Sequence, residues 1–191
     1  MTTTICFIRH GQTDQNKLRK IQGRRDFPLN DTGRSQALKA AKYLKLKDNN
    51  WDIIYSSPLS RATETAQILT DNVPLPYKVI VNQNFIERDF GETEGLSVNQ
   101  ENFKSILNNT AKGLEKSQDI EKRVYNETIK ICDENEGKKI LVVAHSHTIK
   151  ALIIAIDKSY DFWLPLSNCC LNYFEYNGVN LEIKKLDVSP F

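Results

Sequence analysis

The amino-acid sequence predicts an α/β domain with a largely parallel sheet. Short apolar, β-branched segments alternate along the chain with longer segments whose apolar residues recur at helical spacing. Strands that alternate with helices are typical of parallel sheets with helices packed on their faces. The length of 191 residues is that of one domain, so we expect a single domain over residues 1–191.

Two segments have the pattern of central strands. Residues 4–8 and 139–144 are apolar at consecutive positions and rich in β-branched side chains. A strand that is covered by helices on both faces needs apolar residues on both of its sides, so this pattern predicts the middle of the sheet. Residues 51–55 and 77–81 are predicted as two further strands.

Helices are predicted over residues 32–46, 59–69, 119–132 and 148–156. In the first three, apolar residues recur at a spacing that places them on one inward face. These faces consist of Ala37, Leu38, Ala41 and Leu44, of Ala62, Ala66 and Leu69, and of Ile120, Val124 and Ile131. The fourth helix is apolar nearly all round, so we expect it to be buried.

Two further segments complete the predicted architecture. Residues 171–186 contain alternating patches around Asn177-Gly178, a pair that favours the tight turns of β-hairpins. Residues 82–118 are the least regular part of the chain. We expect a small lid, about residues 96–120, to lie over the active site.

Composition and charge exclude several classes of protein. With 26 Lys+Arg against 24 Asp+Glu, the formal net charge of +2 does not suit a nucleic-acid partner. No apolar window predicts a membrane helix, and the first residues lack the basic and apolar regions of a signal peptide. The four cysteines form no CxxC pair, so we expect free thiols in a reducing cytoplasm and no metal centre.

Polar residues cluster where predicted strands end and helices begin. Arg9 and His10 follow the first strand, His145 follows the strand over residues 139–144, and Arg61 begins a helix. The carboxyl ends of parallel strands meet at one edge of the sheet, where ligands bind and helix N-termini favour anions. We therefore expect these two imidazoles and two guanidiniums to form an anion site.

This combination of side chains suits phosphoryl transfer. A guanidinium matches phosphate oxygens with paired hydrogen bonds, and an imidazole can act as the nucleophile. Neighbouring positive charges lower the pKa of such an imidazole and keep its nucleophilic nitrogen free of a proton. A carboxyl group must protonate the leaving alcohol, and residues 87–95 supply candidates. The role of His147 stays open between the pocket and the core.

In their order along the chain, these motifs resemble the histidine phosphatase superfamily, also called the phosphoglycerate-mutase-like family. The resemblance extends from about residue 5 to residue 152. It rests on Arg9-His10-Gly11-Gln12-Thr13, Gln22-Gly23, Pro28-Leu29-Asn30, Gly33, Ser57-Pro58-Leu59, Arg61, Glu64-Thr65-Ala66, residues 87–95 and Val143-Ala144-His145.

The resemblance implies a three-layer α/β/α sandwich with a mostly parallel central sheet, and a phosphatase of the histidine acid type. In this family a histidine becomes a phosphohistidine, and His10 matches that position. Arg9, Arg61 and His145 match the remainder of the phosphate pocket. Glu87 matches the proton donor, which then activates water. The resemblance implies no metal and no organic cofactor.

Further positions match the phosphate and substrate side of the family's pocket. The candidates are Thr13, Asn16, Gln22, Gly23, Arg88 and Ser146. Thr13 matches a position that supports the nucleophile loop. Ser146 stands where the family usually has glycine, and its Cβ could crowd the backbone near the phosphate.

The same motifs leave a choice between phosphatase and mutase chemistry. A mutase must exclude water, which favours long lids with cationic substrate contacts. Residues 96–120 form a short segment with three lysines and no arginine, which favours hydrolysis. Arg88 directly after Glu87 favours the alternative, because mutases of the family share it.

We therefore predict a phosphomonoester hydrolase that acts on a small phosphorylated metabolite. A cofactor-dependent phosphoglycerate mutase and a non-catalytic phosphate-binding module remain as alternatives. The sequence does not identify the metabolite, and it leaves the oligomeric state open between monomer and homodimer. Phe85, Phe90 and Phe103 could line the leaving-group side or belong to the core.

Overall fold

The computed structural model describes residues 1–73 and 78–191. Its strands are β1 (Thr3–Arg9), β2 (Ile53–Ser56), β3 (Ile80–Val81), β4 (Lys139–Ala144), β5 (Leu171–Tyr176) and β6 (Leu181–Val188). Its helices are α1 (Asp14–Lys17), α2 (Asp31–Lys47), α3 (Ser60–Asn72), α4 (Gln100–Leu107), α5 (Ser117–Asp133) and α6 (Ser146–Ile156). Two 3₁₀ turns, Gln83–Phe85 and Gly91–Thr93, lie between β3 and α4.

The strands form one sheet in which β1 and β4 are central. The strand order is β3-β2-β4-β1-β5-β6. The pairs β3–β2, β2–β4 and β4–β1 are parallel, whereas β5 runs antiparallel to both of its neighbours. The sheet is therefore mostly parallel, as the sequence predicts.

Alternate residues of β1 face two different layers of helices. Ile5 and Phe7 belong to a core cluster with residues of α5 and α6. Cys6 and Ile8 belong to a second cluster with residues of α2 and α3. Successive side chains of a strand point to opposite faces, so a consecutively apolar strand requires a helix layer on each side. The arrangement confirms the predicted three-layer sandwich.

The predicted helices form with boundaries that differ by a few residues, and one predicted face is wrong. Leu38 is 49% exposed, whereas Ala40 is fully buried beside Ala37 and Ala41. Adjacent residues are about 100° apart around a helix, so Leu38 turns away when the alanine face packs on α3. In the described part of the chain, no helix is long and apolar enough to cross a membrane.

The predicted hairpin is present, and the predicted fourth strand is short. β5 and β6 are antiparallel neighbours joined through Asn177 and Gly178. The Asn177 side chain accepts hydrogen bonds from the backbone N–H groups of Val179 and Asn180, at 2.9 and 2.8 Å. Of the predicted strand over residues 77–81, only Ile80–Val81 is strand, and residue 77 lies outside the described residues.

Residues 82–118, the least regular part of the sequence, contain a helix and a small apolar core. The lid comprises residues 96–120. It includes α4, whose Ile106 packs with Ile21 and Phe90 in a cluster completed by Ala111 and Leu114. The lid is therefore fixed to the segment after α1 by apolar contacts.

Candidate active site

A pocket of about 500 Å³ is present at the carboxyl ends of the central strands, bordered by the lid. His10 follows β1 and His145 follows β4, and the parallel register pairs Arg9 with Ala144. The centroids of the two imidazole rings are 5.1 Å apart. Of the candidates from the sequence, those that line the pocket are Arg9, His10, Asn16, Gln22, Gly23, Arg61, Glu87, Ser146 and His147.

The His10 ring is held in one tautomer. Its Nδ1 atom lies 2.7 Å from the carbonyl oxygen of Gly11. A carbonyl can only accept, so Nδ1 carries the hydrogen and the neutral ring keeps its lone pair on Nε2. Burial, with the positive charges of Arg61 and Arg9, holds the pKa of His10 well below its usual range. His10 is thus a neutral imidazole at neutral pH, the form that can act as a nucleophile.

The loop that carries His10 is fixed by two helices. The Gly11 N–H donates to Thr65 Oγ1 of α3 at 3.1 Å, and that hydroxyl donates to the Arg61 carbonyl at 2.7 Å. On the other side, the backbone of Gly33 in α2 packs so closely that a Cβ on Gly11 would lie 2.5 Å from the Gly33 oxygen. Both helices therefore restrict the position of the nucleophile.

His145 lies behind His10 and is oriented by a serine. It is fully buried, and its Nε2 is 2.7 Å from Ser57 Oγ. The Ser57 hydroxyl accepts from the Leu59 N–H at 3.4 Å, and among the described residues its own hydrogen has no acceptor other than Nε2. Nε2 therefore accepts, and the Nδ1 atom of His145 carries the hydrogen. Burial, then Arg61 and His10, hold the pKa of His145 well below its usual range.

Two guanidiniums, those of Arg9 and Arg61, contribute positive charge to the pocket. Arg61 is 1% exposed and donates to the carbonyl oxygens of Gly23 and Arg25, at 2.7 and 2.9 Å. Burial lowers the pKa of Arg61 to about 10, so it remains cationic at neutral pH. Arg9 donates from Nη1 to the carbonyl of Leu166. Both guanidiniums are thus held by backbone oxygens.

Four buried side-chain nitrogens have no hydrogen-bond partner in the described part of the chain. They are Nε of Arg9, Nε of Arg61, Nδ1 of His145 and Nδ1 of His147. His147 and both arginines line the pocket, whereas His145 does not. A buried donor without a partner costs about 1–3 kcal/mol, so such groups usually have a role. A phosphoryl group supplies three strong acceptor oxygens, which suit the two guanidinium Nε–H groups and the Nδ1–H of His145.

The Glu87 carboxyl group is held by hydrogen bonds from the first turn of α6 and from the Arg88 backbone. Its Oε1 accepts from the N–H groups of Arg88 and Thr148 at 2.9 and 3.1 Å, and from Thr148 Oγ1 at 3.2 Å. Its Oε2 accepts from the His147 N–H at 3.3 Å. Glu87 is 6% exposed and lines the pocket. These hydrogen bonds hold one carboxyl group in a fixed orientation in the wall of the pocket that His10 also lines.

Some residues near α1 line the pocket, and Thr13 supports them from behind. Thr13 is fully buried and does not line the pocket; its Oγ1 donates to Gln22 Oε1 at 2.9 Å. The Thr13 N–H donates to Asn16 Oδ1 at 3.1 Å. Asn16, Gln22 and Gly23 line the pocket itself. Thr13 thus orients two lining side chains and does not line the pocket itself, which corrects the expectation of a phosphate or substrate contact and leaves Thr13 a supporting residue.

Arg88 does not line the pocket, which corrects the expectation of a substrate contact. Its buried guanidinium donates to the Glu115 carbonyl and to Asn109 Oδ1, each at 2.8 Å. Further bonds join it to the Ile106 carbonyl and Ser117 Oγ, at 3.3 and 3.2 Å. These four hydrogen bonds attach the Arg88 side chain to the lid.

His147 belongs to both the pocket and an aromatic cluster. Its ring lies edge-on to the rings of Phe90 and Phe162, with centroids 4.7 Å away in each case. Phe103 packs against it at 6.0 Å. Burial, then Lys150, hold the pKa of His147 well below its usual range. Phe90 and Phe103 also line the pocket, whereas Phe85 lies in the main core.

Sequence reasoning missed Lys150 as a pocket residue. Lys150 is 4% exposed, lines the pocket and lies one helical turn beyond Ser146, which is also a lining residue. The sequence feature that could have identified Lys150 is its position as the single lysine of a helix that is otherwise apolar nearly all round. Ser146, in place of glycine, begins α6 and is part of the pocket wall.

The organised ligand space is suited to an anion. In residues 1–73 and 78–191, no group of three or more His, Cys, Asp or Glu side chains is placed to hold a metal ion. The polar lining instead includes the cationic side chains of Arg9, Arg61 and Lys150. The pocket can bind a phosphoryl group, present it to Nε2 of His10 and place a carboxyl group near the ester oxygen.

Comparisons with known proteins agree with this chemistry. The sequence matches the Histidine phosphatase superfamily (branch 1) over residues 5–189. It is 36% identical over 190 residues to the uncharacterized phosphatase PhoE of Bacillus subtilis, covering 98% of this chain and 95% of that protein. A 2,3-bisphosphoglycerate-dependent phosphoglycerate mutase of Mesorhizobium japonicum is 30% identical over 170 residues, 82% of each chain. A structure of phosphoserine phosphatase from Entamoeba histolytica in complex with phosphoserine has a TM-score of 0.84 at 28% identity, covering 98% of each chain.

Proposed function

The chain belongs to the histidine phosphatase superfamily, and we propose that it hydrolyses a small phosphomonoester through a phosphohistidine on His10. One observation carries this assignment. The bond from Nδ1 of His10 to the Gly11 carbonyl leaves Nε2 with a lone pair, beside the buried cation Arg61. A neutral nucleophile next to fixed positive charge is suited to attack a phosphate dianion.

In the first step, His10 Nε2 forms a bond to phosphorus while the ester P–O bond breaks. The free N–H donors of Arg9, Arg61 and His145 bind the three non-bridging oxygens and stabilise their charge in the transition state. Glu87 gives its proton to the leaving alcohol oxygen. The ester is thereby cleaved into a free alcohol and a phosphohistidine.

In the second step, water replaces the alcohol. The Glu87 carboxylate accepts a proton from the water molecule, whose oxygen attacks phosphorus as the P–Nε2 bond breaks. The products are inorganic phosphate and free His10, with Glu87 protonated again for the next cycle. The four hydrogen bonds to Glu87 support this double role, because they fix the carboxyl group for both half-reactions.

Mutase activity is the second candidate, since relatives of similar identity are phosphoglycerate mutases. The sequence feature that favours it is Arg88 after Glu87. The position of Arg88 removes that support, because its guanidinium binds the lid and not the ligand space. Hydrolysis therefore remains the better proposal.

We also propose the finer assignments of acid-type activity, a single domain and a cytoplasmic location. The low pKa of His10 supports the first, because the nucleophile stays neutral in mildly acidic solution. The continuous sheet from β3 to β6 supports the second. Four buried free thiols, Cys6, Cys132, Cys169 and Cys170, support a reducing compartment.

Hydrolysis of p-nitrophenyl phosphate by the wild type and by His10→Ala tests the proposal. We expect a loss of at least about 10³-fold in kcat/KM for the variant, since removal of a nucleophile disables both half-reactions. Quenching in alkaline detergent after reaction with radiolabelled substrate should trap a phosphoprotein in the wild type only, and acid should release its label. Activity that survives His10→Ala would refute the nucleophile. Interconversion of 3- and 2-phosphoglycerate, stimulated by the bisphosphate, would indicate a mutase.

A further inference from the structure

The nucleophile is also held from the side of the antiparallel strand β5. Residues 166–170 lead into β5 and extend its pairing with β1 as far as Arg9. The Cys169 N–H donates to the Arg9 carbonyl at 2.9 Å, and the Arg9 N–H donates to the Cys170 carbonyl at 3.2 Å. This segment therefore lies against the residue that directly precedes His10.

Asn168, in the middle of this segment, bonds to the main chain of the nucleophile. Its Nδ2 donates to the His10 carbonyl at 2.9 Å. In the described part of the chain, that carbonyl accepts no other hydrogen bond. Asn168 does not line the pocket, so it can act on a ligand only through the residues that it contacts.

The peptide unit between His10 and Gly11 is bound at both of its polar atoms. Its C=O accepts from Asn168, and its N–H, which points the opposite way, donates to Thr65 Oγ1 at 3.1 Å. The unit is planar, so it cannot rotate without losing one of these bonds. The Gly11 carbonyl, which binds Nδ1 of His10, directly follows. A rotation would therefore also displace the partner of the imidazole.

The surroundings of the Asn168 side chain require an amide. Its Nδ2 also lies 3.5 Å from Asn16 Oδ1, an oxygen whose place is fixed because it accepts from the Thr13 N–H at 3.1 Å. Both groups that face Nδ2 are acceptors, so an NH2 group satisfies them. An oxygen in the same place would repel the His10 carbonyl.

The backbone next to Asn168 has an uncommon conformation. Cys169 has a φ of +59°, in the left-handed region that residues other than glycine rarely adopt. The Ser167 N–H donates to Asp187 Oδ1 of β6 at 2.8 Å. Backbone strain of this kind persists where the surrounding structure determines it, and it clusters at functional sites. These contacts keep Asn168 in place beside His10.

We propose that Asn168 is a positioning residue for the nucleophile. Its NH2 group fixes the peptide unit between His10 and Gly11 and thereby the direction from which the imidazole attacks phosphorus. The inference rests on the proposed hydrolysis at His10. Asn168 contributes no atom to the reaction, so its loss should slow phosphoryl transfer and leave the binding of phosphate nearly unchanged.

Two substitutions distinguish a hydrogen-bond donor from a side chain that only fills space. Asn168→Asp keeps the shape but places an oxygen against the His10 carbonyl. We expect kcat/KM for p-nitrophenyl phosphate to fall about 100-fold, as for a nucleophile displaced by about 1 Å. Asn168→Ala removes the bond without the repulsion, so we expect a loss of about 10-fold. A side chain that only fills space would give the reverse order, which would overturn the proposal.

The comparison of kcat with phosphate binding provides a second measurement. In both variants, the Ki of inorganic phosphate should change far less than kcat, because binding does not need a correctly directed nucleophile. Asn135→Asp and Asn135→Ala are the matched controls and should keep wild-type kcat/KM. Asn135 also donates from Nδ2 to a main-chain carbonyl, that of Ile131, at 2.8 Å, but it lies beside Thr3 at the start of β1.

Other results would overturn the inference and leave the proposed function intact. One is a folded Asn168→Asp protein with wild-type kcat/KM. Another is a loss that falls equally on kcat and on phosphate affinity. If Asn168→Asp does not fold, Asn168→Ala decides, and wild-type kcat in that variant would refute the positioning role.

A wild type that hydrolyses no phosphomonoester would instead refute the phosphatase proposal. The positioning role is then decided by NMR of the Nδ1–H of His10, whose bond to the Gly11 carbonyl depends on the same peptide unit. We expect its proton resonance to shift or disappear in Asn168→Asp and to stay unchanged in Asn135→Asp. An unchanged resonance in Asn168→Asp would overturn the inference.

Discussion

Gly33→Ala tests whether α2 holds the nucleophile loop in position. Gly33 is in the first turn of α2, where Asn30 caps the helix by accepting from the Gly33 N–H at 2.9 Å. An added Cβ would lie 2.1 Å from the carbonyl oxygen of Gln12 and 2.7 Å from its nitrogen. Both are backbone atoms of the loop that carries His10, so no side-chain rotation relieves the contact.

The size of the expected effect follows from these distances. A Cβ contact below 3.0 Å requires the neighbour to move, so the loop must shift by about 1 Å. Misplacement of reacting groups by this amount costs about 100-fold in rate. Overpacking of this kind also costs about 1–3 kcal/mol in the free energy of unfolding. We therefore expect Gly33→Ala to lower kcat/KM by about 100-fold while the protein stays folded.

The assay is hydrolysis of p-nitrophenyl phosphate, together with urea unfolding. Gly178→Ala is the matched control, because its Cβ would have no atom within 4 Å and Gly178 lies at the distant hairpin turn with a φ of +90°. That variant should lose about 1–2 kcal/mol of stability from its left-handed backbone and keep wild-type kcat/KM. A folded Gly33→Ala protein with wild-type kcat/KM would refute the positional role of α2.

Three further predictions concern the pocket. Glu87→Gln should lower kcat by about 10²- to 10⁴-fold, because the proton of Glu87 is needed in the transition state. Inhibition by phosphate should change far less, and an unchanged kcat would mean that another group is the acid. Ser57→Ala removes the hydrogen bond that fixes the tautomer of His145, so kcat/KM should fall by about 10-fold or more, whereas wild-type kinetics would show that Ser57 is dispensable. His10, His145 and His147 have folded pKa values below the value of about 6.5 in the unfolded chain, so the unfolded state binds more protons as pH falls below that value. The free energy of unfolding should therefore decrease from about pH 7.5 to about pH 5.5 in urea titrations, and a constant value would contradict the buried, neutral histidines.

The fold was predictable where the signal is local. The consecutive apolar residues of β1 and β4 predict strands that are buried on both faces. This pattern is visible within each segment, without knowledge of which strands are neighbours. α4 was not predicted, because an eight-residue helix is marginal by itself and is stabilised by the packing of Ile106 on Ile21 and Phe90. The exposure of Leu38 likewise depends on α3, which selects the alanine face of α2.

The candidate site was predictable where residues follow strand ends. His10 and His145 meet because parallel strands end at one edge, and this follows from topology alone. The direction of Arg88 could not be read from the chain, since it depends on acceptors in the lid such as Asn109 and the Glu115 carbonyl. Lys150 is buried because residues after α6 fold over it, with Phe162 supplying the acceptor. Neither contact has a signal at local sequence spacing.

The central place of β1 has a consequence for the order of assembly during synthesis. β1 precedes every other strand, yet its two neighbours are β4 and β5, which begin at Lys139 and Leu171. A nascent chain that ends before Leu171 would carry His10 on a strand with an unpaired edge and an uncovered apolar surface, the state in which chains aggregate. The segment that carries His10 is thus made before two of the strands that complete its surroundings, β4 and β5.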